Sequence, residues 1–276
     1  MDLISIIIPT YNRFNFLLRA LESVKNQTYK NIEIIIINDK SDDENYYSYD
    51  FKPARIIHLE KNTKEMFGKP SAGYVRSIGM QNATGQYLAF LDDDDYWMPE
   101  KLEKQNMIMN EENVDFCYCA KYIIVLGKNR KRYSLVKPRS RNLHKSIMQD
   151  NFIGTTSSIL VKKSVLDNIG GFDPNLTALQ DYDLYIRIIS KGFKVKGIDE
   201  PLLNYQVVDE KRSIACSYND FRKASEYLFN KYRDDQYLHL LKKAIRRITI
   251  IRVVKSRRFM LELIRFYLKG FKLTSF

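Results

Sequence analysis

Four short apolar runs, each ended by a polar loop and set apart by other segments, constrain this chain more than any other feature. Ser5-Ile6-Ile7-Ile8 closes on Pro9, and Ile32 to Ile37 closes on Asn38-Asp39. Arg55 to Leu59 is a third run, and Tyr87 to Leu91 ends in Asp92-Asp93-Asp94-Asp95. Between the first two, apolar residues recur at helical spacing through Phe16, Leu17, Ala20, Leu21 and Val24, and Ala72 to Ala83 also looks helical, stopping near Gly85. Uninterrupted apolar runs of this length read as strands buried on both faces. Strands alternating with helices build a parallel sheet, an α/β fold. Such sheets bind ligands beyond the carboxyl ends of their strands, where Asn12, Asp39 and the aspartates fall.

Past Pro99 the pattern predicts a helix to about Glu112, then strands over Phe116 to Val125 and Tyr133 to Val136 around the basic turn Gly127–Lys131. Thr155 to Val161 reads as a strand, Gly170-Gly171-Phe172-Asp173-Pro174 as a turn, and a helix begins near Asp181. Leu202 to Val208 reads as a late strand, and everything from Tyr218 onward as helical. The expected division is one domain over 1–215 and a basic helical region over 216–276.

No apolar run approaches the ~20 residues of a membrane-spanning helix. Met1-Asp2-Leu3 leads directly into the first strand, so no signal peptide is expected. Cys117, Cys119 and Cys216 are too few and too clustered for a disulfide framework or a zinc site, which points to a reducing, cytoplasmic setting. The net charge of +12 is concentrated in the tail: Lys242 to Phe276 holds eleven Lys/Arg and one acid, Glu262. On a helical wheel Lys242, Lys243, Arg246, Arg247, Arg257, Arg258, Arg265, Lys269 and Lys272 share one half, while Leu241, Ile245, Ile248, Phe259, Leu263 and Phe266 fall mostly on the other. That is the pattern of a helix lying on an anionic membrane surface, or of one packing its apolar side on the domain. No nucleic-acid-binding module is visible, so no nucleic-acid partner is expected.

The strongest chemical signal is Phe90-Leu91-Asp92-Asp93-Asp94-Asp95. Consecutive carboxylates at a strand end resist ionising together unless a cation is near, and hard oxygen ligands suit Mg²⁺ or Mn²⁺. A solvated acidic turn capping the next helix has the same composition. Gln180-Asp181-Tyr182-Asp183-Leu184 opens a helix with a carboxylate that fits either a general base or an N-cap. In Pro9-Thr10-Tyr11-Asn12-Arg13, Tyr11 suits stacking on a base and Arg13 suits a phosphate; a turn with a packed tyrosine reads equally well.

Taken in order, these segments, with Ile37-Asn38-Asp39-Lys40-Ser41, Ala83-Thr84-Gly85-Gln86-Tyr87 and Ile169-Gly170-Gly171-Phe172-Asp173, resemble the family 2 glycosyltransferases over roughly Leu3 to Val208. The resemblance implies the GT-A fold, a Rossmann-like, mostly parallel sheet flanked by helices, with a nucleotide-binding half over about 1–97 and an acceptor half over about 98–215. It implies that Thr10, Tyr11 and Arg13 hold the nucleotide, that Asp39 reads the uracil edge, and that Arg76 lines the nucleotide pocket. It further implies that Asp92 and Asp93 belong to the metal-and-ribose motif, Asp93 meeting the ribose, that Asp94 ligates Mn²⁺ or Mg²⁺, and that Asp181 is the catalytic base. Lys40, Ser77 and Gln180 depart from the common pattern, where Gly, Asn and Glu often stand; a differently shaped loop is expected at Lys40.

The implied reaction is inverting transfer of glucose, galactose or an N-acetylhexosamine from a UDP-sugar to an acceptor hydroxyl. The acceptor expected by analogy is a lipid-diphosphate-linked saccharide of O-antigen or capsule biosynthesis, met at the inner face of the cytoplasmic membrane. A nucleotidyltransferase would want a glycine-rich loop after the first strand, which Pro9-Thr10-Tyr11-Asn12-Arg13 lacks. A relative that only binds nucleotide-sugar would not need both Asp94 and Asp181.

Overall fold

The computed structural model describes residues 2–125, 131–207 and 218–255, together with 260, 261 and 264. The chain begins β1 (Ile4–Thr10), α1 (Phe14–Lys25), β2 (Ile32–Asn38), α2 (Asn45–Ser48), β3 (Arg55–His58), α3 (Thr63–Phe67), α4 (Ala72–Gln81) and β4 (Tyr87–Phe90). It continues β5 (Tyr96–Trp97), α5 (Lys101–Glu111), β6 (Phe116–Val125), β7 (Lys131–Ser134), α6 (Leu143–Gln149), β8 (Ile159–Lys162) and α7 (Lys163–Ile169). The last described elements are α8 (Gln180–Ser190), β9 (Val195–Val207), α9 (Tyr218–Lys231) and α10 (Leu238–Lys255).

One sheet runs β3-β2-β1-β4-β8-β6-β9-β5, with β7 on β6. The pairs among β3, β2, β1 and β4 are parallel. Antiparallel β8 links them to β6, and β6 pairs with β9 in parallel. The apolar runs are continuous because both faces of this sheet are covered. Ile7, Ile35, Ile37, Leu88 and Phe90 enter one core with residues of α4, α6 and α8. Ile4, Ile6, Ile8, Ile34, Ile36 and Ala89 enter the other with α1 and α5. Each such side chain is worth about 1.5–3 kcal/mol when fully buried. Gly79 lets α4 lie close on β1, since a Cβ there would stand 2.3 Å from Ile7 Cγ2.

Three strands begin elsewhere than the apolar pattern suggests. The late strand starts at Val195, ahead of the expected Leu202. Gly197 and Pro201 look like breakers, but Gly197 makes room for the Tyr118 ring and Pro201 stands where the register against β6 shifts. The strand expected from Thr155 starts at Ile159, because Thr155 caps a 3₁₀ turn over Thr156–Ser158. The hairpin strand expected at Tyr133 to Val136 spans Lys131–Ser134. The turn before Lys131 and Cys216 lie outside the described residues, whereas Cys117 and Cys119 are buried free thiols.

The C-terminal helices share the main core. Tyr218, Phe221, Ala224 and Leu228 of α9 and Leu241 and Ile245 of α10 pack in the same cluster as α6 and α8. Arg257, Arg258, Arg265, Lys269 and Lys272 of the tail lie outside the described residues. Among the described residues, no helix is long and apolar enough to cross a membrane.

Candidate active site

The aspartates sit at the carboxyl end of β4, at the centre of the parallel strands. The Asp95 N–H donates to the Asp92 carbonyl at 3.0 Å, closing a tight turn, and the Asp92 N–H donates to Ser157 Oγ at 3.1 Å. Side chains from three other segments converge here. Thr10 at the end of β1 donates to Asp93 Oδ2 at 2.9 Å. Arg13, opening α1, reaches Asp94 at 2.8 Å and Asp93 at 3.4 Å. Arg76 of α4, itself buried, pairs with Asp92. The hydroxyl of Tyr46 on α2 locks the β1–α1 loop, within 2.9 Å of Thr10 Oγ1 and accepting the Arg13 N–H at 2.8 Å.

The cations do not neutralise this corner. Burial pushes Asp93 up to about 7 against the opposing pull of Arg13. Asp94 is raised by burial and then by Asp92. Asp95, buried and accepting the Gln206 N–H at 3.0 Å, is raised by burial and its two neighbours. Carboxylates whose ionisation is disfavoured by burial and by one another favour an added cation, so the residues fit a divalent ion. Among the described residues no cluster of three or more His, Cys, Asp or Glu is arranged to hold a metal by itself. Mg²⁺ sites built with substrate phosphates commonly take one or two carboxylates and complete the shell from phosphate oxygens and water.

Asp181 lies within electrostatic reach of Arg76 and Asp92. It opens α8 just after Leu179, which holds φ 60°, an uncommon conformation for a bulky residue and one that costs of order 1–3 kcal/mol. Its Oδ1 accepts the Tyr182 N–H at 2.8 Å, and burial raises its carboxyl above the ordinary range. The second carboxylate of that turn is differently placed. Asp183, fully buried, accepts from Arg187 at 2.7 Å, from Tyr232 at 2.8 Å, and pairs with Lys231 at 2.8 Å. Lys231 also pairs with Asp173 of the Gly-Gly-Phe-Asp turn at 2.6 Å. Asp183 is therefore consumed by structure, while Asp181 keeps lone pairs for a reacting group.

Asp39, immediately after β2, has both oxygens engaged by Thr63, from its N–H at 2.8 Å and its hydroxyl at 2.6 Å; burial still raises its carboxyl. Half-buried Tyr11 lies within electrostatic reach of Asp42, Asp39 and Glu65. Lys40 holds φ 52°, the left-handed conformation glycine adopts freely. The loop thus takes a glycine-like backbone shape without the glycine, with Lys40 Nζ tied to the Glu60 carbonyl at 2.7 Å.

Thr10, Arg13, Arg76, Asp92, Asp93, Asp94 and Asp181 therefore meet in one region, with Tyr11 and Asp39 on the β2 side. Tyr46, Ser157 and Arg19, which donates to the Asp94 carbonyl at 2.7 Å, escape sequence reasoning. Each is joined to the corner only by the fold, with no spacing that marks it.

Comparison with known proteins identifies the family. Residues 5–170 match the family described as "Glycosyl transferase family 2", a span that holds Thr10 through Asp94 and stops before Asp181. An Escherichia coli relative, named UDP-Glc:alpha-D-GlcNAc-diphosphoundecaprenol beta-1,3-glucosyltransferase WfaP, is 34% identical over 202 residues, 71% of this chain and 74% of that protein. The Bacillus subtilis putative teichuronic acid biosynthesis glycosyltransferase TuaG is 27% identical over 246 residues, 87% of this chain and 91% of its own. The crystal structure of Staphylococcus aureus TarS 1–349 in complex with UDP-GlcNAc superposes with a TM-score of 0.65 at 18% identity, covering 87% of this chain and 71% of that one. The fold is thus the GT-A fold, and since the family match spans more than half of the sequence, the chain belongs to glycosyltransferase family 2.

Proposed function

We propose that this glycosyltransferase moves glucose, galactose or an N-acetylhexosamine from a UDP-sugar to an acceptor hydroxyl, inverting the anomeric centre. The observation that carries this reading is the meeting of Arg13, Arg76 and Asp92–Asp94 with a half-buried Asp181 that keeps lone pairs free. Arg13 and Thr10 hold the diphosphate end of the donor beside the aspartates, and Asp93 meets the ribose. Tyr11 and Asp39 face the uracil. Asp181 takes the proton of the attacking hydroxyl from the face opposite the departing UDP, so one displacement turns an α-linked donor into a β-glycoside. Asp94, with help from its neighbours, would hold Mn²⁺ or Mg²⁺, which when bound neutralises charge on the diphosphate.

The acceptor in this reading is a saccharide on a lipid diphosphate, in assembly of a bacterial surface polysaccharide, in keeping with the names of the relatives. The basic tail would hold the enzyme at the inner face of an anionic membrane, each cation contributing about 1 kcal/mol near the surface. Lys242, Lys243 and Arg246 are exposed on α10, and exposed Ile250, Ile251, Met260, Leu261 and Ile264 supply apolar side chains for such a surface. The test of donor class is thermal shift against UDP-, GDP- and dTDP-sugars, each with and without Mn²⁺. UDP-sugars with Mn²⁺ should stabilise most; equal stabilisation by GDP-sugars would overturn the uracil reading.

A further inference from the structure

Lys121 is a half-buried cation that the chemistry above leaves unused. It stands on β6 immediately after the pairing with β9 slips on both sides of Ala120, and such irregularities re-aim side chains beside active sites. Its ammonium lies 4.9 Å from the centroid of the Tyr205 ring. It also lies over Gly154, where a Cβ would come within 2.8 Å of Nζ. Asp95 and Asp181 lie within its electrostatic reach, and the same carboxylates, with Asp92 and Asp94, lie within that of Tyr205. Among the described residues the Lys121 ammonium nevertheless has no hydrogen bond and no ion pair. A half-buried ammonium with three donors and no protein acceptor is open to an acceptor that a ligand supplies. The carboxylates around it repel an anion, so the fitting partner is a neutral, oxygen-rich group. Neighbouring hydroxyls of a sugar meet this need: one donates to a carboxylate while the next accepts from the ammonium.

We propose that Lys121 selects the acceptor, its ammonium donating to an oxygen of the acceptor sugar next to the hydroxyl that Asp181 deprotonates, with Tyr205 holding the ammonium in place. This rests on the reading of Asp181 as the base. The experiment compares wild type with Lys121→Met and Lys121→Gln, using a UDP-sugar, a synthetic GlcNAc-diphospholipid with a short alkyl chain, and the same lipid lacking the hydroxyl adjacent to the transfer position. Lys121→Met should raise the KM for the acceptor roughly 10- to 100-fold, the weight of one hydrogen bond from a charged donor. The effect should fall on KM rather than kcat, Lys121→Gln should be intermediate, and the dissociation constant of UDP should not change. The deoxy acceptor should cost wild type a similar factor and Lys121→Met nothing further. An unchanged acceptor KM in a folded variant, or a matching loss of UDP affinity, would overturn the proposal; if Lys121→Met does not fold, Lys121→Gln decides on the same readings. A wild type that hydrolyses UDP-sugar yet glycosylates neither lipid would overturn the reading of the acceptor as a diphospholipid-linked saccharide, and an Asp181→Asn variant with normal transfer would overturn the reading of Asp181 as the base; either result removes this proposal with it. Intact wild-type transfer with an indifferent Lys121 removes only this proposal.

Discussion

Asp181 and Asp183 are two residues apart in sequence, yet the structure gives them opposite circumstances. Asp183 is saturated by Arg187, Lys231 and Tyr232, so Asp181→Asn should leave UDP binding intact and lower transfer by about 10²–10⁴-fold, the usual weight of a general base. Because burial raises the Asp181 carboxyl, the acid limb of the kcat profile should lie above the ordinary carboxylate range, since the base acts only when ionised. Asp93 gives a second pH effect. Its folded value of about 7 exceeds the ordinary 3.8, so the folded state prefers the protonated form. The ligand-free protein should gain stability from this group as pH falls from about 7 towards 4 and lose it as pH rises through about 7. Cation binding needs the carboxylates ionised, so the rise in melting temperature from saturating Mn²⁺ should be larger at about pH 8 than at about pH 6. A rise independent of pH would show that ionisation of Asp93 is not coupled to the cation that Asp94 holds. The aspartates, Arg13 and Asp181 were legible as residue types at strand and helix ends. Tyr46 and Ser157 were not, because a hydrogen bond closed by tertiary packing leaves no periodic trace.

At the scale of elements, α8 carries Asp181 and α9 braces α8. Lys231 and Tyr232 reach from the end of α9 to Asp183 and Asp173. Replacing Lys231 with Met leaves buried carboxylates short of a partner, so urea unfolding should show a loss of about 1–3 kcal/mol, with kcat falling alongside because the base helix is less firmly held. Full stability and full kcat in that variant would show that α8 is positioned without α9. The long strands and helices were readable because each buries a continuous apolar run or stripe against a covered sheet. The short helices α2, α3, α6 and α7 and the two-residue β5 were not, since elements of one or two turns present too few repeats for a period to emerge. The early part of β9 was hidden by Gly197 and Pro201, whose presence follows from Tyr118 and the register shift rather than from a turn.

For the whole molecule, the basic tail is not simply appended. Leu241, Ala244 and Ile245 are buried, so Leu241→Ala should cost about 2–5 kcal/mol, and a chain ending near Tyr237 should be markedly destabilised. A chain ending after Arg252 keeps those contacts and should melt close to the full-length protein. Full-length protein should sediment with anionic vesicles at low salt and leave them at high salt, while the shorter chain binds more weakly; equal sedimentation would take the tail beyond Arg252 out of membrane binding. The sequence announced the charge of this region but not its division, because a helix with apolar residues on one half and cations on the other suits a membrane and a protein core alike. The central claim is direct transfer from a UDP-sugar with Asp181 as the base. Its most direct test is proton NMR of the product made by the full-length enzyme from α-linked UDP-sugars and a diphospholipid-linked saccharide, where the account predicts release of UDP with a new β-glycosidic linkage, and an α-linked product would contradict it.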